Sequence, residues 1–165
     1  MKLMFPNQFT PILALILIGL VLSACGPSSK MYKGTQLDKD ANVITVNIDE
    51  ASSIEEATRQ VSQALTRQRY RIDQTDAESG FVQTEEKEVG GGMSASVDIR
   101  FSVAVIDEST AEVTGEYYGT SIVTGDNSWK RIGYKGTRGD NERVSWDYML
   151  EAAEAIGTIE SFSIE

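Results

Sequence analysis

Polar and apolar residues alternate most regularly between Ser94 and Ile106. Ala95, Val97, Ile99, Phe101, Val103 and Val105 point one way; Ser94, Ser96, Asp98, Arg100 and Ser102 point the other. A period of two predicts a strand with one dry and one wet face. Asp107-Glu108-Ser109 turns the chain. Ala111, Val113, Gly115, Tyr117 and Gly119 then line the dry side of the next strand, opposite Glu112, Thr114 and Glu116. Two shorter extended segments, Tyr70 to Thr75 and Phe81 to Val89, precede this pair across a turn at Asp76 to Gly80. Gly90-Gly91-Gly92 is a loose connection that lacks the Lys-Ser/Thr of a phosphate loop. Val43 to Ile48, rich in β-branched residues, is a further strand.

Two segments carry a helical period instead. Ile54, Ala57, Val61, Ala64 and Leu65 fall on one face of a helix ending near Gln68. Ser52 with Glu55, and Ser53 with Glu56, both match a capping box at its start. Arg67 and Arg69 suit the negative end of its dipole. A second helix is expected from about Asp140 to Ile156, with Met149, Ala152, Ala153 and Ile156 inward and Trp146 and Leu150 widening that face. Gly157 stops it. Thr158 to Glu165 alternates weakly, as a tail or an edge strand, and Ile122 to Gly139 reads as a loop or an extra edge hairpin. The order β-α-β-β-β-β-α predicts an α+β two-layer sandwich. An antiparallel four- to five-stranded meander would carry both helices on its one dry face.

The N-terminus has a different character. Lys2 is followed by an apolar run, Pro11 to Leu22, of signal-peptide length and too short to span a bilayer comfortably. Leu22-Ser23-Ala24-Cys25 closes it, and Cys25 is the only cysteine in the 165 residues. This resembles the lipobox of bacterial lipoproteins. The resemblance implies cleavage between Ala24 and Cys25, a diacylglyceryl group on the Cys25 thiol and an N-acyl chain on its new amine. Two or more acyl chains make a stable anchor where one is marginal. Gly26 rather than Asp follows the cysteine. By the same resemblance the destination is the outer membrane, periplasmic side, with the inner membrane and the cell surface as alternatives. Residues 1–24 are thus expected to be a signal peptide. Residues 25–41, polar and aperiodic, are a lipidated, flexible tether whose Tyr32 and Leu37 can pack on the domain, and 42–165 form one periplasmic α+β domain.

Composition narrows the chemistry. Losing the leader removes only Lys2, so Lys plus Arg falls from 15 to 14 against 25 Asp plus Glu. Such acidity excludes the phosphate contacts that nucleic acid requires, and leaves bilayer attachment to the acyl chains. The chain has no histidine. His-based triads, His-ligated zinc and a His general base are therefore excluded, and lipid on Cys25 occupies the one thiol. No catalytic residues, metal or soluble cofactor are assigned.

The candidate chemistry is that of binding. Trp129, Lys130, Arg131, Tyr134, Lys135 and Arg138 gather aromatic and basic side chains in an acidic chain, and interface hot spots favour Trp, Tyr and Arg. Trp129, Arg131 and Tyr134, with Tyr118 on the wet face of its strand, are the candidate partner contacts. The alternative is that Trp129, Ile132 and Tyr134 pack beneath a loop. Asp98, Glu112 and Glu116 share a face with Arg100, where cross-strand ion pairing is expected. The element order over residues 43–157 resembles the helix-grip-like domains of outer-membrane lipoproteins of the BamC type. The expected function is a non-catalytic, membrane-anchored envelope module that binds another protein. The alternative is a small-molecule or lipid carrier, with a helix–sheet cleft lined by Phe101, Tyr117, Met149 and Trp146.

Overall fold

A computed structural model describes residues 30–90, 96–119, 128–134 and 141–165. The centre of the fold is the expected strand pair, β7 (Ser96–Val105) and β8 (Thr110–Gly119). They run antiparallel in unbroken register from Val97 opposite Gly119 to Val105 opposite Ala111. Between them Asp107 Oδ1 accepts from the Ser109 N–H at 2.8 Å, a bond that holds the Asp107 carboxyl below its usual range. Shorter strands flank both sides. The free edge of β7 takes β5 (Phe81–Thr84) and then β6 (Lys87–Gly90); that of β8 takes β3 (Val43–Asn47) and β9 (Trp129–Arg131). β4 (Ile72–Asp76) closes one margin beside β5, and β10 (Thr158–Ser163) the other beside β3. The result is an open, eight-stranded antiparallel sheet in the order β10-β3-β8-β7-β5-β4 along its main path.

This is an α+β fold, as expected, but the sheet is larger than the four to five strands anticipated and is not a simple meander. Phe81 to Val89 is two strands because Glu85-Glu86 breaks it. The weakly alternating 158–163 stretch is a true edge strand, and β3 sits between it and β8, out of chain order.

Both helices lie on one face. α1 (Ile54–Arg67) starts at Ser53, whose hydroxyl accepts from Glu56 N at 3.3 Å, while the Glu56 carboxylate accepts from Ser52 N at 3.0 Å. Its end is a Schellman motif with Arg69 in the left-handed region (φ 64°): Arg69 N donates to Thr66 O and Tyr70 N to Leu65 O. Ala57, Thr58, Val61 and Leu65 are its buried stripe; the Thr58 hydroxyl is satisfied by Ile54 O at 2.7 Å. α1 covers β4, β5 and β7. α2 (Asn141–Ile156) covers β8, β3 and β10 and touches α1. Val97, Ile99, Phe101, Val103, Ala111, Val113, Trp146 and Met149 form the dry layer between helices and sheet.

Residues 30–41 depart from the expected tether. β1 (Lys30–Tyr32) and β2 (Thr35–Leu37) form a hairpin. Its two turn residues, Lys33 (φ 46°) and Gly34 (φ 94°), both take positive φ, as a tight two-residue hairpin turn requires. Leu37 and Ala41 are buried, and Tyr32 packs edge-on against Phe162 at 5.9 Å. The Tyr32 hydroxyl and the Lys33 ammonium both donate to Glu154 near the end of α2. Burial, the bond to Glu154 and nearby carboxylates push the Tyr32 pKa up to about 12. The bonds from Lys33 and Tyr32 hold the Glu154 carboxyl below its usual range.

A lowered folded pKa stabilises above the unfolded value and is lost as pH falls through the folded one. The latch is therefore expected to loosen on acidification below the ordinary glutamate range. Tyr32 ring resonances, followed by NMR from neutral pH downward, should show this transition, and Glu154→Gln should abolish it. An unchanged Tyr32 signal would refute the latch.

Candidate functional site

The face of the sheet away from the helices is uncovered by any described element. Alternation places Asp98, Arg100 and Ser102 of β7 and Glu112, Thr114, Glu116 and Tyr118 of β8 on it. β9 adds two residues by register, since Trp129 stands opposite Tyr118 and Arg131 opposite Glu116.

Arg100 organises this surface. It lies directly across from Glu116, and its Nε and one Nη reach the same carboxylate oxygen at 2.8 and 2.6 Å. Its guanidinium also sits 4.4 Å from the centre of the Trp129 ring. Arg100 and Trp129 are two strands apart, roughly 10 Å between backbones. The arginine therefore crosses β8 to form the stack. Its planar guanidinium, more weakly hydrated than an ammonium, suits stacking on an aromatic face. Tyr118 supports the other side of the cluster, its ring 5.7 Å from Trp129 at 45°. Arg131 binds the Glu165 carboxylate at 2.9 Å. Trp129 and Tyr118 are half-buried, so this is an accessible patch held in place by its own neighbours.

Of the four candidate contacts, Trp129, Arg131 and Tyr118 share this face. Tyr134 does not, which corrects its assignment to the surface. It is 5% exposed, its ring lies 5.8 Å from Trp146, and its backbone pairs with Asp40 and Ala41. Tyr134 is core because the chain leaves β9 at Arg131 and dives beneath α2, with Ile132 fully buried. Lys135, Arg138, Ala24 and Cys25 lie outside the described residues. Sequence reading missed Arg100 as the partner of Trp129, because the two meet only through the pairing of β9 on β8. The expected ion pairing on this face holds for Arg100 with Glu116.

On the opposite face, the residues named for a cleft are packed. Phe101, Met149 and Trp146 are fully buried, and Tyr117 is half-buried. Gly115 lets them close in: a Cβ there would stand 2.8 Å from both Ile132 Cδ1 and Phe101 Cδ1, and 3.2 Å from Met149 Sδ. Among the described residues, no three His, Cys, Asp or Glu side chains converge as a metal site.

The sequence matches no protein-family model and no curated protein. This surface and the lipobox-like segment 22–25 are the two features of the chain that bear on function. Among the described residues, no helix is long and apolar enough to cross a membrane.

Proposed function

We propose that this chain is a lipid-anchored bacterial envelope lipoprotein, non-catalytic, that holds another envelope protein on the open face of its sheet. The observation that carries the reading is the Trp129–Arg100 stack beside Tyr118 on an uncovered face. Aromatic rings and arginine are the side chains on which binding energy concentrates, and rings already fixed by neighbours lose little entropy on docking. Anchoring is assigned to Cys25, acylated after removal of residues 1–24, and the location to the periplasmic side of the outer membrane. Helices laid across one face of an antiparallel sheet support the helix-grip-like resemblance as architecture alone. The filled helix–sheet layer favours this reading over a carrier.

Cross-linking of intact cells tests it. One protein should co-purify in near-equal amount. Trp129→Ala with Tyr118→Ala should lower its recovery by about tenfold or more, as loss of a hot spot does, while leaving the fold intact. Labelling with palmitate should mark the chain and be lost in Cys25→Ser. Undiminished recovery from the aromatic double variant would remove the open face from the account.

A further inference from the structure

On the open face two carboxylates oppose one another. In the register of β6 on β7, Glu88 stands directly opposite Asp98. The neighbouring pairs, Lys87 with Ile99 and Val89 with Val97, point to the helix side, so both carboxylates point outward. Like charges directly opposite destabilise an antiparallel pair. Among the described residues, no basic side chain forms an ion pair with either carboxylate.

The same row continues into the aromatic patch. Tyr118 faces Asp98 across β7–β8, and Trp129 faces Tyr118 across β8–β9. Two carboxylates therefore adjoin two aromatic rings in a line across four strands. Next to them the sheet opens. β5 pairs with β7 as far as Gln83 opposite Ser102, and β6 resumes at Lys87 opposite Ile99. In the gap the Phe101 N–H donates to Thr84 Oγ1 at 2.9 Å, and Glu85-Glu86 are exposed. A groove of about 390 Å³ lies there, lined by Asp73, Glu85, Glu86 and Arg100 among others. Arg100 bonds to Glu116 and stacks on Trp129, so its charge is already engaged.

We propose that this face docks an extended, lysine- or arginine-bearing segment of a protein partner. A cationic head group sits between Glu88 and Asp98, and its aliphatic stem lies against Tyr118 and Trp129. An ammonium or guanidinium satisfies both carboxylates at once and relieves their repulsion, and the stem covers ring surface. The sign of the charge decides the occupant. A second copy would bring the same acidic face, and anionic lipid or nucleic acid would be repelled. This inference rests on the interaction reading above and adds the chemistry of the partner.

The test uses the full chain in detergent and a labelled peptide of alternating lysine and threonine, about ten residues long, the length of a long strand. Saturable binding that weakens with salt is expected. Glu88→Gln with Asp98→Asn should weaken it by about tenfold or more and should also raise the unfolding midpoint, because the opposed charges are gone. Asp49→Asn with Glu50→Gln, exposed positions on another part of the surface, makes the same change in net charge and should leave affinity within about twofold. Absence of saturable binding, or equal loss from both pairs, would overturn the proposal. A cellular partner that needs Trp129 and Tyr118 but tolerates Glu88→Gln with Asp98→Asn would also overturn it, while leaving the interaction reading in place.

Discussion

Trp146→Ala should cost about 3–5 kcal/mol, a large part of the roughly 5–15 kcal/mol that holds an ordinary domain folded. Trp146 is fully buried and belongs to a chain of rings. It lies 5.8 Å from Tyr134 and 6.0 Å from Phe162, and Phe162 in turn meets Tyr32 at 5.9 Å. Those contacts join α2, the segment after β9, the edge strand β10 and the N-terminal hairpin. Truncation removes two of these three ring contacts and leaves a cavity at the middle of the chain of rings. Trp146→Phe separates packing from polarity. The buried indole Nε1 finds no hydrogen-bond acceptor among the described residues, so phenylalanine loses volume but also removes an orphaned donor. It should cost less than half as much as alanine. Urea denaturation followed by far-ultraviolet circular dichroism measures both, and equal losses would contradict this assignment.

Gly157→Ala should be nearly as damaging, about 3 kcal/mol, by overpacking rather than by a cavity. A Cβ at Gly157 would stand 2.1 Å from Asn47 O, 2.9 Å from Asn47 C and 3.2 Å from Ile48 Cα. These are backbone atoms of β3 and the residue after it, and they cannot rotate away as a side chain could. The corner between α2 and β10 would have to lift, breaking the register that sets Thr158 opposite Asn47 and Ile159 opposite Val46. Phe162, two turns of the pleat further on, would leave the ring chain. A lowered urea midpoint with loss of hydrogen-exchange protection concentrated in β10 and the hairpin is the expected result. Wild-type stability would show that the corner is looser than described.

Much of the fold was readable where a period is long enough to repeat. The ten-residue strands β7 and β8 alternate through several cycles, and so ion pairing of Arg100 with a carboxylate on its face could be anticipated, while register selects Glu116. α1 declares itself twice, by its apolar stripe and by the Ser53 cap, whose hydroxyl accepts from Glu56 N while the Glu56 carboxylate reaches back to Ser52 N. Strand order was not readable, because no local pattern says that β3 lies between β8 and the last strand. β9 has only three residues, too few for any alternation, and exists through its partner β8. The hairpin hid for a similar reason: Tyr32 and Leu37 are separated apolar residues in a polar stretch, and it takes the folded domain to bury Leu37 in the core and to hold Tyr32, half-buried, against Phe162. The aromatic and arginine patch on the open face was half legible. Trp129 and Arg131 stood out by composition, whereas Tyr134, three residues beyond Arg131, faces inward after a turn of the backbone that composition does not encode. The opposition of Glu88 to Asp98 depends wholly on register.

A photo-reactive residue placed at one position at a time in intact cells separates docking on the open face from docking elsewhere. Position 102 lies on the open face, and position 151 is exposed on the helix side. An adduct with one envelope protein is expected from position 102 and none from position 151. Adducts from position 151 alone, or the same adducts from both, would contradict docking on the open face.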